Sequence, residues 1–160
     1  VAHGFSLPDS IQAELWRPLY LCLGILVALF IVGAVYDWKG RALAARLVPW
    51  SIGTGIAFLG LTEFFSGAFL AFVAYEAIAM LSAFAIYLFL GVSGRLRGAG
   101  VIAIAILLNL LAAGVQASDV SFHILFPFDH NGVFHLIQMA GIGTLCLGLL
   151  LGMQSHVTKK

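Results

Sequence analysis

The sequence predicts an all-α integral membrane protein, a bundle of five transmembrane helices forming one domain over residues 1–160. Three observations lead there. Of 160 residues, 62% are hydrophobic and 9% charged, with a mean hydropathy of +1.07; a soluble domain carries about 25% charged residues. Apolar runs recur at the length of about 20 residues that a helix needs to cross a hydrocarbon core. Counting five of them puts nearly all basic residues on one side of the membrane, as the positive-inside rule requires. The same composition excludes other classes. Eight Lys+Arg against seven Asp+Glu leave no basic excess for nucleic acid. Two cysteines are too few for a disulfide-stapled secreted domain.

The first span is the uncharged run Pro18–Tyr36. Ahead of it, Asp9 with Gln12 forms a capping pattern, and Ile11, Leu15 and Trp16 favour a short interfacial helix leading into the span. From Leu47 to Val92 the chain is mostly apolar for about twice the length of one span. Its only local break is Phe64-Phe65-Ser66-Gly67-Ala68, so it divides into helices at 47–65 and 69–91. The fourth span covers 99–117 and the fifth 132–153, joined by an outer connection over 117–131. With the amino terminus outside, Lys39, Arg41, Arg46, Arg95, Arg97, Lys159 and Lys160 all lie at the cytoplasmic face with the carboxyl terminus, and only Arg17 is outside. Trp16 and Tyr20 mark the outer end of span one, Tyr36 and Trp38 its inner end. The compartment these features imply is a bacterial cytoplasmic (inner) membrane. Val1 is not an initiator methionine, which implies either a trimmed methionine or a signal segment removed ahead of it.

Cys22 and Cys146 differ in depth by more than about 10 Å, too far for a disulfide. Gly148-Leu-Leu-Leu-Gly152 is a small-xxx-small pattern suited to close helix packing, within the chain or in a homo-oligomer.

Ionisable groups at membrane depth are costly and call for a partner or a task. Here they are asymmetric. Asp9, Glu14, Glu63, Glu76, Asp119 and Asp129 are outer or outer-half, and so are His3, His123, His130 and His135; Asp37 and His156 are at the other face. Glu76 lies roughly 10 Å below the outer surface, His135 roughly 5 Å and Gln138 roughly 9 Å. Asn131, His135 and Gln138 share one helix face by their i, i+4, i+7 spacing, and Asn109 and Gln116 share another. These groups outline a polar pocket open to the outside, with Asn131, Gln138, Gln116 and Asn109 lining it. The connection over 117–131 covers it; three phenylalanines and Pro127 favour a surface-lying or partly re-entrant segment over a helix. Asp129 or Asn131 would also serve as the N-cap of span five.

Imidazole and carboxylate suit zinc and neighbouring divalent transition metals. The expected ligands are His130, His135 and either His123 or His3, with Glu76 or Asp129 as further ligand or general base. His130 and His135 are five apart, which puts them on different faces unless His130 precedes the helix, as Pro127 and Gly132 suggest it does. The competing reading is a polar latch in which His135 and Gln138 bond to Glu76. Haem is disfavoured because only His135 lies within a span. Retinal lacks an in-span lysine, and a conducting path lacks polar groups below Asn109 beyond Ser82, Ser51 and Thr54.

The stretch Asp129-His130-Asn131-x-x-x-His135-x-x-Gln138, with an acidic residue in an earlier span, resembles the CREST superfamily of membrane hydrolases, which includes alkaline ceramidases and progestin/adiponectin receptors. The resemblance implies a zinc held by histidines near one membrane face and hydrolysis of a lipid amide. Its better-known members have seven spans and a His-x-x-x-His pair. His3-Gly4 and Phe134-His135-Leu136 are similar in outline to motifs of nickel-uptake permeases, but that family's His-Pro segment is missing. Three functional classes stay open: a metal-dependent membrane enzyme or metal-binding protein, a non-catalytic subunit of a larger membrane complex, and a transporter or sensor using Glu76 and His135. Membrane lipids, other membrane subunits or a second copy of the chain are the expected partners.

Overall fold

A computed structural model describes residues 8–64, 68–116, 118, 122–123, 127–128 and 130–157. Among them are five helices long and apolar enough to cross a membrane: α1 (Asp9–Lys39), α2 (Arg41–Phe64), α3 (Ala68–Val92), α4 (Ala99–Gln116) and α5 (His130–Val157). Two residue pairs, β1 (Phe122–His123) and β2 (Pro127–Phe128), form a short antiparallel ladder between α4 and α5 in the chain. The described chain is thus all-α apart from that ladder. Large apolar side chains are open on the helix surfaces, Ile78 at 68% and Met139 at 69%. In water such faces would aggregate; against acyl chains they cost nothing.

The chain divides into two compact units, Val1–Ala79 and Met80–Lys160. In the first, α1 and α2 form an antiparallel hairpin closed by one residue. Gly40 has φ +86° and donates its N–H to the Tyr36 carbonyl at 2.8 Å. Only glycine adopts that conformation without strain, and it lets Lys39 and Arg41 end and begin helices where the sequence suggested a longer loop. At the hairpin's centre the backbones cross at Gly24 and Gly55: a Cβ built on Gly24 would lie 3.2 Å from the Gly55 Cα. Phe58, buried, fills the space beside this crossing against Tyr20, Phe72 and Tyr75.

Tyr75 of α3 donates its hydroxyl to the Gly24 carbonyl at 2.9 Å. That carbonyl is reachable from the side because residue 24 has no side chain. Tyr75→Phe removes this bond between helices and should lower stability by about 0.5–1.5 kcal/mol, read as a reduced unfolding midpoint in detergent micelles with the helical circular dichroism unchanged.

Two local expectations are corrected. There is no separate interfacial helix: α1 runs unbroken from Asp9 through Pro18, which sits inside it. Proline is tolerated there because neighbouring groups can take over the freed backbone carbonyl. Asp9 is the first residue of the helix rather than its cap, the N-cap being Pro8, with no side-chain capping bond.

Candidate functional site

In the second unit α4 and α5 pack antiparallel along a seam that the sequence encodes with small residues. A Cβ on Gly148 would meet the Ile102 backbone N at 3.0 Å, and one on Gly152 the Arg97 carbonyl at 3.4 Å. Gly141, seven residues before Gly148, faces Asn109, seven residues after Ile102; its Cβ would lie 2.7 Å from the Asn109 Nδ2. The Gly148/Gly152 pattern thus serves contact within the chain. The buried positions Ile102, Ala105 and Ala112 lie on the same stripe of α4 as Asn109 and Gln116. The face those two polar residues share is the seam itself.

Asn109 donates its Nδ2 to the Ala105 carbonyl at 2.9 Å, one turn back along its own helix. Other in-span hydroxyls do the same: Ser51 to Leu47, Thr54 to Trp50 and Thr144 to Ala140. Local back-bonding of this kind is the cheapest way to satisfy a polar group in hydrocarbon. Gln116, the last residue of α4, is half-buried; one further seven-residue step of the seam brings it level with Phe134.

At the start of α5 the helix begins on His130 itself. The expectation that His130 precedes the helix is therefore corrected, and Asn131 is inside the helix rather than its cap. Five positions along a helix turn through about 140° net, so the register sets His130 and His135 on different faces. His135 is exposed, its ring 4.8 Å from that of Phe134 at 60°. The buried positions Val133, Gly141 and Gly148 mark the opposite side of α5. Gln138 is half-buried between the two. The ladder pairs His123 with Pro127 and Phe122 with Phe128, which folds the connection back so that His123 is opposite a residue three positions before His130. Among the described residues no group of three His, Cys, Asp or Glu is gathered for a metal. His3 and Asp129 lie outside the described residues, and of His123, His130 and Asn131 only the backbone is described.

Glu76 belongs to the first unit. It is half-buried on α3, next to Tyr75, and makes no hydrogen bond or ion pair with a described residue.

One constellation escaped the sequence reading. Arg17 of α1 forks onto Glu63 of α2, with Nε to Oε1 at 2.8 Å and Nη2 to Oε2 at 3.1 Å, while Nη1 reaches Glu14 one turn earlier. The bidentate geometry fixes orientation as well as distance. It closes the open end of the α1–α2 hairpin, opposite Gly40. The signal was present: Arg17 and Glu63 are equally far from a reversal at residue 40, so an antiparallel hairpin must bring them level.

A family model described as a family of unknown function, DUF6962, matches residues 1–154. The chain belongs to this family. Neither the curated proteins nor the solved structures contain a match.

Proposed function

We propose that this DUF6962 protein is an integral membrane metal-binding protein. Its site would lie at the head of α5, built on His123 and His130, with Asp129 and His3 as further donors for zinc or a neighbouring divalent transition metal. One observation supports this above the rest: the β1–β2 ladder, which sets His123 opposite Pro127, three residues before His130. Neutral imidazoles with a carboxylate form a donor set suited to such ions. The helix register gives His135 less support as a shared ligand. The basic residues favour an orientation with the amino terminus outside and the carboxyl terminus in the cytoplasm, which would put this site on the extracytoplasmic side of a bacterial inner membrane. A metal there would supply a bound water of lowered pKa, and the CREST resemblance makes a lipid amide the substrate class to assay.

Elemental analysis of the purified protein tests the proposal. A stoichiometric transition metal is expected, lost in His123→Ala and in His130→Ala and retained in His156→Ala. Absence of metal from the wild-type protein after reloading with zinc would overturn it.

A second reading is favoured by Asn109, whose amide donates to the Ala105 carbonyl of its own helix and is seated against Gly141. On that reading the polar groups of α4 and α5 serve packing, and the protein is a non-catalytic subunit of a larger membrane complex. Partner subunits that co-purify in mild detergent, with no metal present, would be its signature.

A further inference from the structure

Within the second unit, the junction of α3 and α4 holds a hollow of about 440 Å³, inside the range of roughly 300–1,000 Å³ typical of small-molecule sites. Four backbone bonds hold the turn that shapes it: Ser93 N–H donates to Phe89, Gly94 to Gly91, Arg95 to Leu90 and Ala99 to Leu96. Gly98, at φ +80°, rests on the Gly148 carbonyl of α5, and a Cβ on Gly91 would lie 3.0 Å from the Gly100 N. The floor of the hollow is therefore glycine backbone held from two sides. Leu88, Val92 and Leu96 supply an apolar wall, and Val92 is 82% exposed.

Arg97 is the charged side chain among the lining residues. Its neighbour Arg95 is engaged over the Phe89 ring, 5.8 Å from the centroid. Arg97 forms no ion pair with a described residue. Sequence explains why. From Met80 to Lys160 the acids are Asp119 and Asp129, both in the connection that follows the far end of α4. Near the α3–α4 junction this unit's sequence carries Arg95 and Arg97 and no acidic side chain, so an anion that pairs with Arg97 would come from outside the unit. Because α3 and α4 are both spans, their junction is at the level where headgroups meet hydrocarbon. A free anion would satisfy Arg97 but leave the leucine and valine wall bare. An anion carried on acyl chains satisfies both.

We propose that the α3–α4 junction is a binding site for an anionic phospholipid, with Arg97 pairing to the phosphate and Leu88, Val92 and Leu96 packing against the first carbons of a chain. Basic pockets at the ends of membrane helices bind such headgroups by the same combination of charge and depth. The site is independent of any metal at the head of α5.

The test uses the full-length chain in nanodiscs of phosphatidylcholine doped with nitroxide-labelled phosphatidylglycerol or phosphatidylcholine, read by electron paramagnetic resonance. Labelled phosphatidylglycerol should be immobilised in preference to labelled phosphatidylcholine. Arg97→Gln should cut that preference roughly five-fold, as loss of one interfacial cation predicts. Arg97→Lys should keep most of it, and Arg95→Gln should change it little. Equal immobilisation of the two lipids by the wild-type protein would overturn the proposal. So would an equal loss in Arg95→Gln, which would mean diffuse surface charge, or displacement by excess inorganic phosphate, which would mean a free-anion site.

Discussion

Gly98→Ala should be among the most damaging single methyl additions in the chain, lowering stability by about 2–5 kcal/mol. Two separate penalties act at one position. The φ of +80° is strained for any residue with a Cβ. The added carbon would also run into the Gly148 carbonyl and lie 2.9 Å from the Leu151 Cβ. Neither neighbour is the free end of a flexible side chain, so relief requires α4 and α5 to separate. Gly143→Ala is the matched control. It lies on α5 with nothing within 4 Å of a built Cβ, and in a helix interior alanine is favoured over glycine by about 0.8–1 kcal/mol. Unfolding midpoints in detergent micelles should therefore move in opposite directions for the two variants. Equal midpoints would mean that the α4–α5 seam is not a close backbone contact.

The number and order of helices were readable because hydropathy reports the span directly: the fourth span was expected at 99–117 and α4 is Ala99–Gln116. Charge and hydropathy say less about where a helix stops outside the hydrocarbon. The first span was expected from Pro18, yet α1 begins at Asp9, since the polar turns preceding Pro18 are as compatible with a helix as the apolar ones. Gly40 as a one-residue reversal was equally invisible, because a basic loop and two abutting helix ends have the same composition. The polar residues divide differently. The shared face of Asn109 and Gln116 follows from their spacing alone, but spacing cannot say whether a shared face opens on a pocket or on another helix. The glycines of α5 held that answer. Gly141 and Gly148 are seven apart, as Ile102 and Asn109 are, and two helices with matching small and large repeats pack along them. The His130–His135 spacing of five was legible as a conflict, and the helix start at His130 leaves that conflict in place.

Phe58→Ala should cost about 2–3 kcal/mol, for a reason particular to a membrane protein. In a soluble domain the loss would combine a transfer term and a cavity term, about 3–5 kcal/mol together. Within a bilayer the ring is no more soluble in the protein than among lipid tails, so the transfer term largely drops out. The cavity remains. Phe58 is 6% exposed, stacked on Tyr75 with centroids 5.5 Å apart and flanked by Phe72 at 5.7 Å and Tyr20 at 6.2 Å. Removing it leaves three rings with no partner on one side and opens the crossing of Gly24 and Gly55. Phe64→Ala makes the same chemical change six residues later on a side chain that is 86% exposed, and should shift stability by less than about 0.5 kcal/mol. If both variants lost the same amount, burial among rings would not be what stabilises the hairpin. Combining Phe58→Ala with Tyr75→Phe adds a sharper criterion. Tyr75 is held both by the Phe58 ring and by its bond to Gly24, so with the ring gone the hydroxyl should be worth less than in the wild type. The double variant should therefore lose less than the two single losses added together.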